Sequence, residues 1–551
     1  MANIPAQRFE IQTKLDFPKI MRRLRSECGP TALDDEAELA TLLAAVNKDI
    51  EGCNGEIDRL RSQMVLVSEQ RRKLDEYQSY FGFLQSPIRR LPNELLLRIF
   101  DSVCHTNWIT SKELESLPAL KLSRVCARWR NLARSTPELW ARITLSLDAE
   151  TSLNHFALLD FYLTLSSQAL LTINIAGGSA ENNIHSEICW MLTAHSIRWK
   201  SLLVWCEKVF EMLVSDKPAQ YPSLEVLMLP FIDSDTSAHL DTFHDAPKLR
   251  DIRLGQFSQV AEVPTKFPWN QVTRLDVNNY PTGIEHLIET CGNLLELEFR
   301  ETVPSVLGSS SVRASTLKGL CLLLHCPSSW NRRFSGTTLA EVLFSSWTCP
   351  SLTSLTIKSG ERDERSWPKA SFHSFTQRSS FHLTTLALVS VPISDRDFID
   401  ALAALPNLLE LTIDNGLAEV NPITPLLFQT LHAVVPAGGD IVSSVLVPKL
   451  RSLRVRVSET STQTSQSDRI DAEFVEMVQS RWHSGGLVDV QQNATAANAI
   501  ACLRSVVLQL VDRKLGRGEE EIFRPLAALE RAGMRVAVIG KPREPRYSRY
   551  H

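Results

Sequence analysis

Two hydrophobic rhythms divide the chain. From Leu39 to Phe81, apolar residues recur at alternating steps of four and three: Leu39, Leu43, Val46, Ile50, Cys53, Ile57, Leu60, Met64, Val67, Leu74 and Phe81. Arg71 and Gln78 fill two further places in the series. A mean step of about 3.5 residues is the spacing of a coiled-coil seam, so residues 34–84 are predicted to form one long helix whose stripe meets another helix. Asp34 is placed to cap its start, and Glu36 and Glu38 suit the positive end of the helix dipole. Gly52 and Gly55 oppose the helix by about 1 kcal/mol each relative to alanine. Two coverings of the stripe are open: a second copy of the chain, giving a homodimer through the heptad helix, or the chain's own next domain. Residues 1–33 show weak order signals and are expected to form a flexible N-terminal segment.

The second rhythm starts at Trp140: an apolar residue, two spacers, an apolar residue, one spacer, an apolar residue. It reads Trp140, Ile143, Leu145; Leu170, Ile173, Ile175; Trp199, Leu202, Val204; Leu224, Leu227, Leu229; and Leu249, Ile252, Leu254. It continues as Val272, Leu275, Val277; Leu294, Leu297, Phe299; and Leu317, Leu320, Leu322. Later copies start at Leu352, Leu383, Leu408, Leu450 and Leu503, and a last one reads Met534, Ala537, Ile539. The final two anchors of a copy stand two apart, so they share one face of a short strand. Pro222, Pro247, Pro350, Pro406 and Pro448 precede first anchors by two residues, where proline ends a helix and presets extended backbone. Helical stretches, such as 283–291 and 397–405, lie between copies.

Steps of 22–25 residues dominate from Trp199 to Leu317 and widen to 35, 31, 42 and 53 toward the C-terminus. Such strand-plus-helix units resemble leucine-rich repeats, whose units run about 20–29 residues. The resemblance implies a solenoid in which each unit covers its neighbour's open apolar edge and parallel strands line the concave side. The usual Asn or Cys after the strand is missing from most copies, so the asparagine ladder is absent and curvature is expected to be uneven. The periodicity by itself also fits a general α/β arrangement. Residues 146–540 are assigned to this irregular array. A mobile loop is expected over about 457–499, Ser/Thr/Gln-rich at its start, and a basic tail over 541–551.

The segment between the two rhythms is built differently. Pro92 suits a first helical turn, and Glu94 suits its dipole. Leu91, Leu95, Leu96, Ile99, Phe100 and Val103 then make one broad apolar face, with Arg89, Arg90 and Arg98 off it. A second apolar helix carries Leu122, Val125, Cys126, Trp129 and Leu132, and a short helix start follows at Pro137-Glu138. Two short helices this apolar cannot hide their faces within roughly 55 residues, so one surface is expected to be left for a partner.

Three motifs here resemble the F-box family, in its fungal F-box-like type. They are Leu91-Pro92-x-Glu94-Leu95-Leu96-x-x-Ile99-Phe100, then Val125-Cys126-x-x-Trp129, then Leu132-Ala133-x-Ser135-x-Pro137-x-Leu139-Trp140. The match covers 87–145, and Thr106–Leu117 forms a polar insert absent from the shortest F-boxes. The resemblance implies three short helices docked on a Skp-type adaptor, which in turn joins cullin and RING subunits. Carried onto this chain, the adaptor-binding residues would be Leu91, Pro92, Leu95, Leu96, Ile99 and Phe100, with Val125, Cys126 and Trp129 from the second half. Trp129 is also a core candidate, since tryptophan on an apolar stripe is more often packed than exposed.

The expected fold is therefore α/β: an N-terminal helical segment, a three-helix F-box, and an irregular leucine-rich-repeat solenoid. At 551 residues the chain exceeds one ordinary domain of roughly 100–200 residues, and 44% apolar with 22% charged residues is a globular balance. A net charge of −4 lacks the basic excess of a nucleic-acid binder and demands no anionic membrane. The 11 cysteines form no CxxC pair, which fits a reducing cytoplasm or nucleus rather than a secreted disulfide framework. No apolar run reaches about 18 residues, and charges interrupt Phe9, Ile11, Leu15, Phe17 and Ile20, so neither a membrane span nor a signal peptide is expected.

The search for chemistry nominates no catalytic residue, metal site or cofactor. Gly540-Lys541 lacks the glycine spacing of a phosphate loop, and HExxH, GxSxG and GxGxxG are absent. His105, His155, His185, His195, His286 and His382 are scattered. Recognition then falls to residues beside the strand anchors: Glu225, Met228, Arg250, Arg253, Arg274, Asp276, Glu296, Glu298, Arg451 and Arg454. Their mixed charges fit a protein target, and the same positions also suit an ordinary solvated strand face. The leading reading is a non-catalytic substrate receptor of a cullin–RING ubiquitin ligase. A scaffold not coupled to ubiquitination is the alternative, followed by an enzyme with a cryptic site and a nucleic-acid binder.

Overall fold

The two glycines do not break the heptad helix. In a computed structural model of the chain, α2 is one helix of 53 residues, Leu33–Gln85, preceded by the short α1, Phe17–Arg25. At 1.5 Å per residue it is about 80 Å long. Arg59 reaches Glu56 at 2.6 Å, and Arg72 joins Glu69 at 2.7 Å and Glu76 at 2.5 Å, the spacings at which helical side chains meet. The structure describes residues 10–14, 16–25, 33–109, 117–147, 153–177, 183–214, 220–232, 234–257, 264–278, 284–301, 311–324, 339–359, 367–416, 420–433, 445–458, 464–482, 501–511 and 517–541. No described helix is long and apolar enough to cross a membrane.

The chain forms two units, 1–96 and 97–551, and the division falls within α3, Asn93–Val103. In the first unit, the segment expected to be flexible contains α1, and Thr13 donates to the Asp49 carboxylate of α2 from its backbone N–H at 2.8 Å and from its hydroxyl.

The second unit alternates strands and helices. It runs β1 (Asn107–Ile109), α4 (Pro118–Val125), α5 (Ala127–Arg134), β2 (Arg142–Leu147), α6 (Leu153–Leu165), β3 (Leu171–Gly177), α7 (Asn183–Thr193), β4 (Trp199–Val204), α8 (Glu207–Val214) and β5 (Val226–Ile232). Next come α9 (Ser234–Leu240), β6 (Asp251–Phe257), β7 (Arg274–Asn278), α10 (Ile284–Thr290), β8 (Glu296–Glu301), β9 (Val312–Arg313), β10 (Gly319–Leu324), α11 (Leu339–Ser346), β11 (Trp347–Thr348) and β12 (Ser354–Ser359). The rest is α12 (Lys369–Ser379), β13 (Thr385–Val389), α13 (Asp395–Ala403), β14 (Glu410–Asp414), α14 (Pro425–Thr430), β15 (Ser452–Ser458), α15 (Thr464–Ser480), β16 (Ser505–Val511), α16 (Arg517–Arg531) and β17 (Arg535–Lys541).

Fifteen of these strands form one parallel sheet in chain order; β9 and β11 pair with each other instead. The register makes each apolar anchor a rung. Ile252, Leu275, Leu297 and Leu320 align across β6, β7, β8 and β10, and all are buried. The alternate residues point to an open face, as in β2, where Ile143, Leu145 and Leu147 are buried while Arg142, Thr144 and Ser146 are partly exposed. Many helices that follow one another in sequence touch, and aromatic rings lie in the seams of α11 with α12 and α14 with α15. Phe344 stacks on Phe375 at 5.1 Å, and Phe428 meets Phe474 edge-on at 5.3 Å.

Several sequence expectations change. In the copy read from Leu170 the anchor is Leu171: Leu170 is 43% exposed, and a register irregularity between Leu171 and Thr172 shifts the phase by one residue. In the last copy Val536 and Val538 align with the buried Val506 and Leu508, so Ala537 and Ile539 lie on the open face. Gly533, at φ +102°, lies between the end of α16 and the strand. The polar insert supplies β1, which extends the sheet next to β2. Asn107 holds that junction from within: its Nδ2 donates to the carbonyls of Leu139 and Arg142, both at 2.9 Å, and its Oδ1 accepts from the Ala119 N–H and the Tyr162 hydroxyl.

The expected loop over 457–499 is corrected where the structure describes it. Val457 and Ser458 end β15, and α15 occupies Thr464–Ser480 with Phe474, Val475, Met477 and Val478 buried. Its polar first turns disguise the helix, whose apolar face starts only at Ile470. Arg481 closes it, fully buried, donating to the carbonyls of Leu431, Leu446 and Val447. Burial pulls that guanidinium down to about 10. Residues 459–463, 483–500 and the tail 542–551 lie outside the described residues.

Candidate functional site

The residues nominated by the sequence fall in two places. The first is the helical segment 87–147. Arg142 ties the end of α3 to β2, with its Nη2 2.6 Å from Asp101 Oδ1 and its Nη1 donating to the Cys104 carbonyl at 3.2 Å. Trp140 is fully buried, and its indole N–H donates to the Ala133 carbonyl at 2.7 Å, fixing α5 over the start of the sheet. Phe100 packs against Trp129 with ring centroids 4.9 Å apart. Burial pushes the Cys104 thiol up to about 11.

The nine residues carried over by resemblance separate into groups. Pro92, Leu95, Ile99 and Val125 are exposed, whereas Leu91, Cys126 and Trp129 are half-buried. Leu96 and Phe100 are fully buried, so they act as core here and have no surface to offer a partner. The physical reason lies in helix geometry: residues four apart share a face, which sends 96 and 100 inward and 95, 99 and 103 outward. Leu95 is 46% exposed, Ile99 41% and Val103 44%, and Val125 at the end of α4 is 60% exposed. Val103 belongs with this outward set, and the motif comparison overlooked it because the motif stops at Phe100.

The second place is the open face of the sheet. Met228, Arg253, Arg274, Asp276, Glu296, Glu298 and Arg454 all lie on it. Glu225, Arg250 and Arg451 do not. They precede their strands, in turns where one copy's backbone holds the next: the Glu225 carbonyl accepts from the Arg250 N–H at 3.1 Å, and the Arg451 N–H donates to Leu409 at 2.8 Å. Across β6 to β8 the face forms a charge ladder. Arg253 meets Asp251 at 3.1 Å, Arg274 bridges Glu296 at 3.2 Å and Asp251 at 4.0 Å, and Arg300 lies 3.9 Å from Glu298. Partial burial, and then the neighbouring Glu298, hold the Asp276 carboxyl above its usual range. Asn278 and Arg300 sit side by side in register, each with a buried polar atom that lacks a hydrogen-bond partner. Gly255 permits the approach of β5 here, since a Cβ would meet the Pro230 carbonyl oxygen at 1.6 Å.

Two groupings lie elsewhere. A cleft of about 400 Å³ between α12 and α13 is lined by Trp367, Lys369, Phe372, His373, Asp397 and Asp400. Lys369 pairs with Asp397 at 3.1 Å and Asp400 at 2.6 Å, and His373 Nε2 lies 2.8 Å from Gln377 Nε2. His432, Glu473 and Glu476 bring metal-ligand atoms within 4.8 Å of one another, although Gln429 already donates to Glu473 at 2.6 Å. The Glu pair lies inside the stretch read as a loop, so its helical i, i+3 spacing was hidden from sequence reasoning.

Against known families, residues 88–146 match the F-box-like family model. Domains of this kind bind Skp-type adaptors and are generally non-catalytic. No curated protein matches the chain.

Proposed function

We propose that this protein is a substrate receptor of an SCF-type cullin–RING ubiquitin ligase. Its F-box-like segment grips the Skp-type adaptor, and the strand array, read as an irregular leucine-rich-repeat solenoid, holds a protein target. The observation that carries the reading is the outward row Leu95, Ile99 and Val103 inside a segment matching the F-box-like family. An apolar row left uncovered is the kind of surface that marks a protein interface. The contact set comprises the side chains with surface to give: Pro92, Leu95, Ile99, Val103 and Val125, with Leu91, Cys126 and Trp129 at its margin. No chemistry is asked of this chain. Holding target and ligase together makes ubiquitin transfer effectively intramolecular. The site of action would be the cytoplasm or nucleus.

The test is affinity purification of the full chain beside Leu95→Asp with Ile99→Asp. Both residues are exposed, so the double variant should fold. Adaptor and cullin recovery is expected to fall at least about tenfold, since charges placed in an apolar contact go unpaired. Undiminished adaptor recovery would remove the docking surface. Adaptor recovered without cullin would favour the uncoupled scaffold.

A further inference from the structure

We propose that α2 joins two copies of this chain side by side, parallel and in register. Its stripe is uncovered along most of its length: Leu43, Ile50, Ile57, Leu60, Met64 and Leu74 are all exposed. The occupant must have the same 3.5-residue period to follow the stripe for six heptads, and a second α2 has it by construction. A strip about 63 Å long and about 10 Å wide covers roughly 630 Å² per partner, about 1,260 Å² in total, which falls within the range of specific interfaces.

Charge decides the direction. With Leu43, Ile50, Ile57 and Met64 at a positions and Val46, Cys53, Leu60 and Val67 at d positions, Glu56 falls at g and Arg61 at e. In a parallel pair a g residue meets the e residue five places on in the other helix, so Glu56 faces Arg61 of the second copy, twice by symmetry. An antiparallel pair that overlaps residues 39–67 on themselves sets g against g, where Asp49 and Glu56 are both acidic. Arg71 occupies an a position and would face its own copy. Asp75, 3.8 Å away on the same helix, offsets that charge, and a polar a residue fixes register. Thr13 anchors the N-terminal segment on Asp49, a flanking g position, while along the seam Val46 and Cys53 are half-buried and Ile50 and Ile57 are exposed.

The parallel arrangement carries its own reporter. Cys53 is a free thiol at a d position, so two copies in register bring Cys53 against Cys53 within disulfide reach. Pairing does not rest on the adaptor reading, and none of the variants below touches α3.

The experiment uses the full chain. Light scattering during gel filtration is expected to give twice 61.9 kDa. Ile57→Glu with Leu60→Glu, both exposed positions, should return the mass to 61.9 kDa with helix content unchanged. A wild-type mass of 61.9 kDa, or a dimer that ignores the double variant, overturns the proposal. Diamide then reads direction: its N=N bond takes two electrons and two protons from two thiols and becomes a hydrazine as the S–S bond forms. A cross-linked dimer lost in Cys53→Ser is expected, whereas a dimer with no Cys53 cross-link overturns the parallel register. Glu56→Arg should weaken pairing about two- to fivefold, and Glu56→Arg with Arg61→Glu should restore it. No recovery in the exchanged pair counts against the register.

Discussion

Helix α2 and the parallel sheet each carry a regular apolar series, and the two series meet opposite fates. The sheet's anchors, such as Leu227, Ile252 and Leu275, are fully buried. On α2 the residues from Ile57 to Phe81 that stand out as large and apolar are 45–68% exposed. The difference is not one of composition. Every strand of the large sheet between β1 and β17 has a registered neighbour on both sides, supplied a few dozen residues away in the same chain. Helix α2 satisfies its backbone and pairs charges along its own length, while its apolar stripe stays exposed from Ile57 to Phe81. Periodicity therefore says which side of an element seeks a neighbour, and only topology says whether the chain provides one.

The largest effect that would break this contrast is a core truncation. Leu275→Ala removes a side chain packed between the registered rungs Ile252 and Leu297, and should cost about 3 kcal/mol of stability. Leu66→Ala, an exposed position outside the heptad seam, should change stability by no more than about 0.5 kcal/mol. Urea denaturation followed by tryptophan fluorescence and circular dichroism would compare them. Similar losses would mean that α2 is buried after all.

The same contrast explains what was legible in the sequence. Apolar spacing gave α2 to within a residue and located most strands, because burying one face of a strand forces alternation. It failed where a single residue sets phase. Two leucines in succession, Leu170-Leu171, allow either to be the anchor, and in β17 the step from Met534 to Val536 is two residues where most other copies have three. It failed again at α15, where Ser, Thr and Gln lead into the helix and the apolar face starts late. At the candidate adaptor site the motif could not separate the two sides of α3, since Leu95 and Leu96 are identical letters with opposite burial. The charge ladder was readable residue by residue. Its pairing was not, because Asp251, Arg274 and Glu296 meet only through strand register.

Burial in the sheet unit also leaves a titration signature of intermediate size. Burial pushes the thiols of Cys189, Cys291 and Cys349 up to about 12 from an ordinary value of 9. A raised thiol favours the folded state fully below pH 9, and that contribution is lost as pH climbs from 9 toward 12, because the unfolded chain ionises first. Each thiol should therefore cost about 1.4 kcal/mol of stability by pH 10. Denaturation midpoints at pH 8 and pH 10 check it: Cys291→Ala should shrink the difference between them by about that amount. An unchanged difference would mean that water reaches the thiol.

Charge is where the two regions should behave alike, with the smallest effect. Arg274 on the sheet and Arg72 on α2 each join two carboxylates, and both side chains are at least half exposed. Exposed pairs gain little over water and are screened by salt, so Arg274→Gln and Arg72→Gln should each cost about 0.5 kcal/mol or less, and 0.5 M NaCl should erase the difference from wild type. A loss above about 1.5 kcal/mol for Arg274→Gln alone would show the ladder to be bracing β6 against β8. Such a brace could not release its charges to a partner, and the open face would lose its claim as the surface that recognises a target. A small loss leaves those charges free to exchange one another for an incoming protein's, which is the condition that recognition at this face requires.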